Sequence, residues 1–316
     1  MLMVLTVHAD GASLGLPDLY GDVGSASSYD LWRLGIESVA IVGVNCFTII
    51  SGYFGLRLRW RNVAAFLFEC VFYAVGIYTA VSLVFPETFS WQGWINSWLV
   101  LSHTDLWYVP AYFGLMLLSP LINAGMAAMD RGRATAVLAV FVLFNVWCGW
   151  WWHGTFNPTG YTLVQLILVY MIGRYIHLHI DSRMMRQRRG VIAAVYIAST
   201  AGIMVSSIYI GTQQAFAYNS PLVLASTISL FMLFATLNIQ SRAINYAAQS
   251  AFAVYLIHKA PLVWGNVMRP GMIRLGTALT GWQLFLAGCG IVAGFYVIAM
   301  IIDPMRRALS RALLGK

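Results

Sequence analysis

Residues 44–85 read VNCFTIISGYFGLRLRWRNVAAFLFECVFYAVGIYTAVSLVF, two apolar runs around a short loop that carries Arg57, Arg59 and Arg61. A helix needs about 20 apolar residues to cross the hydrocarbon of a bilayer, and a helix is the form that satisfies its own backbone where no water can. The stretch therefore reads as two membrane helices joined by a basic turn. Working outward, the same alternation of apolar run and charged or turn-forming gap predicts helices over 32–53, 63–86, 106–127, 134–152, 161–179, 190–210, 220–237, 249–268 and 281–302. A stub, Met1 to Val7, ends at His8 and is too short to span.

Composition agrees with this reading. Of 316 residues, 60% are hydrophobic and 9% charged, and mean hydropathy is +0.73; soluble domains carry about a quarter charged residues. A water-soluble globule is excluded. The chain is expected to be all-α, a polytopic membrane bundle of about ten helices in one domain over 1–316, with the first helix cut short. On that view the chain starts late and a complete first helix needs about a dozen more residues upstream. The 19 Lys+Arg against 11 Asp+Glu give a net charge of +8, but the basic residues sit in gaps between apolar runs, so nucleic acid is not an expected partner. Cys46, Cys70, Cys148 and Cys289 lie in apolar segments without CxxC spacing and read as small core residues.

The basic residues also fall in alternate gaps. Arg57, Arg59 and Arg61 fill the first, Arg131 and Arg133 the third, Arg183, Arg186, Arg188 and Arg189 the fifth, Arg242 the seventh, and Arg306, Arg307, Arg311 and Lys316 the tail. The positive-inside rule makes those gaps and the C-terminus cytoplasmic, and the cell (plasma) membrane is the expected location; Arg269 and Arg274 are exceptions on the outer side. Trp91, Trp94, Trp98, Trp107, Trp147, Trp150, Trp151 and Trp152 gather toward the outer boundary, as interfacial anchors do.

Each ionisable side chain at membrane depth needs a partner or a wet cavity. The candidates are His8, Arg33, Glu37, Glu69, Arg174, His258 and Lys259. Arg33 and Glu37 are four apart and share a helix face, so they either pair or serve a site. Glu69 reads as a counter-charge for an arginine of the basic gap, Arg174 as a snorkelling residue, and Lys259 as one that reaches toward the outer surface. His258 is either a hydrogen-bonded core imidazole or a functional one. The dense loop of Arg57, Arg59 and Arg61 serves topology or clamps phosphate, because guanidinium forks bind phosphate bidentately. Phosphate-loop, dinucleotide, zinc-protease and hydrolase-elbow motifs are absent, and HisLeuHis at 177–179 reads as an interfacial pair.

Four segments together resemble the membrane acyltransferase 3 family, multi-helix enzymes that O-acylate surface polysaccharides and related glycans. MLMVLTVHAD at 1–10 is similar to the family's first helix ending in a functional histidine, VNCFTIISGYFG at 44–55 to its phenylalanine-rich run into Ser-Gly-Tyr, DLWYVPAYFGLMLLSPLIN at 105–123 to its Trp-aromatic helix ending Ser-Pro-Leu, and AFAVYLIHKAPL at 251–262 to its Tyr-Leu-Ile-His segment. The chain departs from the pattern in lacking an arginine upstream of His8 and in spacing Arg57, Arg59 and Arg61 alternately where the family often has Arg-x-x-Arg.

The resemblance implies transfer of an acyl group, acetyl above all, from cytoplasmic acyl-CoA to a hydroxyl of a cell-surface glycan or its lipid-linked precursor. It implies His8 as base or acyl carrier, Glu37 and His258 as supporting catalytic groups, and Arg57, Arg59 and Arg61 as the site of the donor's phosphates. Ser51, Tyr53 and Tyr255 become second-rank donors to the thioester oxygen or the sugar. No metal and no permanently bound cofactor is expected; acetyl-CoA, the glycan and membrane lipid are the partners. The rival readings are a flippase or transporter for a glycan or lipid intermediate, since ten helices with intramembrane charge also suit alternating access, and a non-catalytic membrane scaffold.

Overall fold

A computed structural model describes residues 1–315; Lys316, counted above in the basic tail, lies outside them. The chain is 79% helix, without strands among the described residues. In chain order the principal helices are α1 (Leu2–Ala9), α2 (Ser28–Ala40), α3 (Gly43–Phe54), α4 (Trp60–Val84), α5 (Tyr108–Ala128), α6 (Arg131–Phe144), α7 (Leu163–His179), α8 (Arg189–Ile210), α9 (Pro221–Ala235), α10 (Arg242–Gln249), α11 (Ala251–His258) and α12 (Gly281–Leu314).

Among the described residues six helical segments are long and apolar enough to cross a membrane: Ser28–Phe54, Trp60–Val84, Tyr108–Ala128, Arg131–Trp151, Arg189–Ile210 and Gly281–Leu314. Leu2–Leu14, Leu163–His179 and Pro221–Ala235 are shorter apolar helices. Only 6% of the most apolar window of α12 is buried within the protein, and Leu83, Leu121 and Ile301 are exposed; such a surface suits lipid. The segment over 249–268, expected as one helix, is instead broken after His258. Pro261 has no N–H, and Ala260 before it is extended at φ −52°, ψ 131°, as residues before proline tend to be.

Two compact units appear. The first comprises Met1–Gly15, Arg59–Phe113 and the chain from Gln240 onward; the second comprises Leu16–Leu58 and Gly114–Ile239. In the second unit Ile49, Leu168, Ile172, Ile176 and Leu224 belong to one buried core, and α3 lies directly on α7. A methyl group at Gly52 would overlap the Tyr170 carbonyl, and one at Gly173 would overlap the Ile49 carbonyl, so both glycines are required by backbone contact. Gly52→Ala is expected to cost about 1–3 kcal/mol by overpacking, read as a lowered thermal midpoint; an unchanged midpoint contradicts the contact.

The second unit is also pinned by amides. Asn45, Asn145, Asn157, Gln165 and Asn219 are all fully buried. Asn45 Nδ2 and Gln165 Nε2 donate to the Tyr218 carbonyl at 3.0 and 2.8 Å. Asn145 Nδ2 donates to Gln165 Oε1 at 3.1 Å, Asn157 Nδ2 to Asn145 Oδ1 at 2.8 Å, and Asn219 Nδ2 to the Asn157 carbonyl. Such a network fixes one arrangement of helices and loops because breaking any member orphans a buried polar group.

Candidate active site

His8 stands in the last turn of α1, and its carbonyl accepts a hydrogen bond from Ser13 Oγ at 2.6 Å. His258 ends α11 and is fully buried. The two imidazoles meet within the first unit: His8 Nδ1 lies 2.7 Å from His258 Nε2, with ring centroids 5.0 Å apart. His258 Nδ1 lies 2.6 Å from the Val254 carbonyl oxygen one turn earlier.

These partners assign the protons. A carbonyl oxygen only accepts, so His258 Nδ1 carries a hydrogen and donates it to Val254. With both rings neutral, His258 Nε2 is then a lone pair, and His8 Nδ1 must donate to it. His8 Nε2 is left as an unprotonated nitrogen. Trp264 meets the edge of the His8 ring at 5.8 Å, and the Lys259 ammonium sits 3.9 Å over the Trp264 ring. Lys259 is thus held on an indole face by a cation–π contact.

A second polar cluster of the first unit surrounds Asp303. Arg306 donates to Asp303 Oδ1 from Nη2 at 2.7 Å and from Nε at 2.9 Å, and its Nη2 is 3.4 Å from Glu69 Oε1. Arg307 Nε lies 3.0 Å from Asp303 Oδ2. Tyr73 and Ser250 hydroxyls donate to the same carboxylate at 3.2 and 3.3 Å. Glu69 therefore pairs with Arg306 of the C-terminal helix, not with an arginine of the loop before α4. The reason is geometric: Glu69 lies between two and three turns into α4, where α12 packs against it.

A family model described as an acyltransferase domain matches residues 1–302. The chain belongs to the acyltransferase 3 family. No curated protein and no solved structure matches it. Family and apolar helices together make it a multi-pass membrane protein and an acyltransferase of groups other than aminoacyl.

The other residues expected at an acyltransferase 3 site are distributed over both units. In the first, Tyr255 packs edge-on to Tyr108 at 5.9 Å and to His258 at 6.0 Å. Arg59 stands at the N-terminal boundary of α4, and Arg61 lies 5.8 Å over Trp60; both are exposed. In the second, Glu37 is buried on α2, and Arg57 is exposed. Ser51 Oγ donates to the Phe47 carbonyl of its own helix at 3.0 Å. The Tyr53 ring packs against His177 and Phe231, and its carbonyl accepts from Arg174 Nη1 at 3.4 Å. Arg174 thus bonds backbone at the C-terminal end of α3. The glycine of the family's Ser-Gly-Tyr run is the packing glycine, Gly52.

Proposed function

We propose that the protein is an integral-membrane O-acyltransferase that moves an acetyl group from acetyl-CoA to a hydroxyl of a cell-surface glycan or its lipid-linked precursor. The observation that carries this reading is the His8–His258 pair with its assigned protons. His8 Nε2 takes the proton of the acceptor hydroxyl as that oxygen attacks the thioester carbonyl; the carbon–sulfur bond then breaks, and the proton passes to the leaving thiolate. An imidazole is suited to both transfers, its ordinary pKa being about 6.5. While His8 is an imidazolium, its Nδ1–H bond to His258 disperses the added charge, so His258 acts through His8 as a positioning residue. Tyr255, packed against His258, offers a hydroxyl to the thioester oxygen or the sugar.

The donor's phosphates are assigned to Arg57, Arg59 and Arg61. Their exposure supports this role, as does the fit of guanidinium to phosphate. The loop then faces the cytoplasm of a plasma-membrane protein, a sidedness that the alternation of basic gaps supports. Changing all three to Gln is expected to raise the KM for acetyl-CoA by roughly tenfold or more, the loss of one or two charge-assisted hydrogen bonds. A donor titration with unaltered KM contradicts the clamp. The function itself is tested by mass spectrometry of surface glycans from cells with and without the gene. An acetyl increment present only with the gene is expected; identical glycan masses overturn the reading.

A further inference from the structure

At 34 residues and 1.5 Å per residue, α12 runs about 51 Å, against about 30 Å of hydrocarbon. Its last turns, from Pro304 on, therefore stand at or beyond one face of the membrane. They form a cavity of about 320 Å³ lined by Pro304, Arg306, Arg307, Ser310 and Arg311, near the lower end of the roughly 300–1,000 Å³ of small-ligand sites.

The wall of this cavity carries three guanidinium groups and a hydroxyl, and no carboxylate. The acids stand behind it: Asp303, fully buried, grips Arg306 and Arg307, and Glu69 supports Arg306. Gln249 accepts a further hydrogen bond from Arg307. Arg306 is thus buried with its Nε and Nη2 engaged by the acids, Arg307 is held by Asp303 and Gln249, and Arg311 is exposed; three positive groups against two carboxylates leave a positive surplus. Arg311 bonds to neither acid. Preorganised guanidinium forks match the paired oxygens of phosphate, and their charge is permanent.

We infer that this cavity on the C-terminal helix binds a phosphate group. The chemistry is that of a phosphate mono- or diester, carried either by an anionic lipid headgroup at the membrane surface or by the nucleotide portion of the acyl donor. The inference does not rest on acyl transfer, because binding is read without turnover.

The test uses the full chain in nanodiscs, with Arg311→Gln and the pair Arg307→Gln/Arg311→Gln. Arg311→Gln leaves every bond to Asp303 in place, so a folding defect in the double variant does not remove the test. One arm measures equilibrium binding of radiolabelled CoA in phosphatidylcholine discs; the other measures the thermal midpoint gained when phosphatidylglycerol is added to those discs. A CoA affinity roughly tenfold or more weaker in the variants, equivalent to one charge-assisted contact, identifies the nucleotide. Loss of the midpoint gain with CoA binding unchanged identifies the lipid. Wild-type values for both in Arg311→Gln and in the folded double variant overturn the inference. The Arg57, Arg59 and Arg61 variant, measured in parallel, separates failure of the loop clamp from failure of this cavity.

Discussion

Acyl transfer by the His8→Ala chain is expected to fall by roughly 10²–10⁴-fold, the range that a positioned general base contributes, while membrane insertion stays intact. His8 is half-buried at the end of a short helix, so its truncation opens little of the core. The structural cost is the His258 Nε2 lone pair left without its donor, about 1–3 kcal/mol. That is a loss the bundle can bear, and no other described side chain bonds to His258 Nε2 in its place. The check is transfer of labelled acetyl per mole of inserted protein; transfer near the wild-type rate removes His8 from the mechanism.

The second large effect is on stability. Asp303→Ala is expected to destabilise the protein by about 3–5 kcal/mol, the cost of breaking a buried ion pair and leaving its partner uncompensated. Asp303 accepts from Arg306, Tyr73 and Ser250 and pairs with the Arg307 guanidinium at once, and the Arg306 side chain beside it is only 8% exposed. Asp303→Asn, which keeps the shape and loses the charge, should fall between. Glu69→Gln should cost less, since its contact with Arg306 is 3.4 Å and its side chain 15% exposed. Thermal unfolding in detergent measures all three, and an Asp303→Ala midpoint equal to wild type contradicts the assignment.

Much of this was legible in the sequence. The apolar runs around Arg57, Arg59 and Arg61 correspond to α3 and α4, and other predicted runs to long helices, because hydrocarbon leaves a chain few alternatives to helix. The break after His258 was less visible: hydropathy continues across 249–268, and the signal was Pro261 alone. The Asp303 cluster was missed for a related reason. Hydropathy ends the last helix at 302 and leaves its arginines to topology, although Asp303, Arg306 and Arg307 have the i, i+3, i+4 spacing of one helix face. The amide network of Asn45, Asn145, Asn157, Gln165 and Asn219 is not legible in the sequence, because uncharged amides scattered in apolar runs carry no pattern of their own. His8 and His258 each stood out singly. Their contact did not, since 250 residues separate them and only the packing of α1 with α11 brings the rings together.

The assignment of His8 Nε2 as the base is tested most directly by nitrogen-15 NMR of the histidine-labelled full chain, at a pH where both rings are neutral, with His8→Ala and His258→Ala chains to assign the two signals. Protons on Nδ1 of both rings, with His8 Nε2 unprotonated, are the predicted result. A proton on His8 Nε2 would contradict it, because the nitrogen meant to accept the acceptor's proton would already hold one.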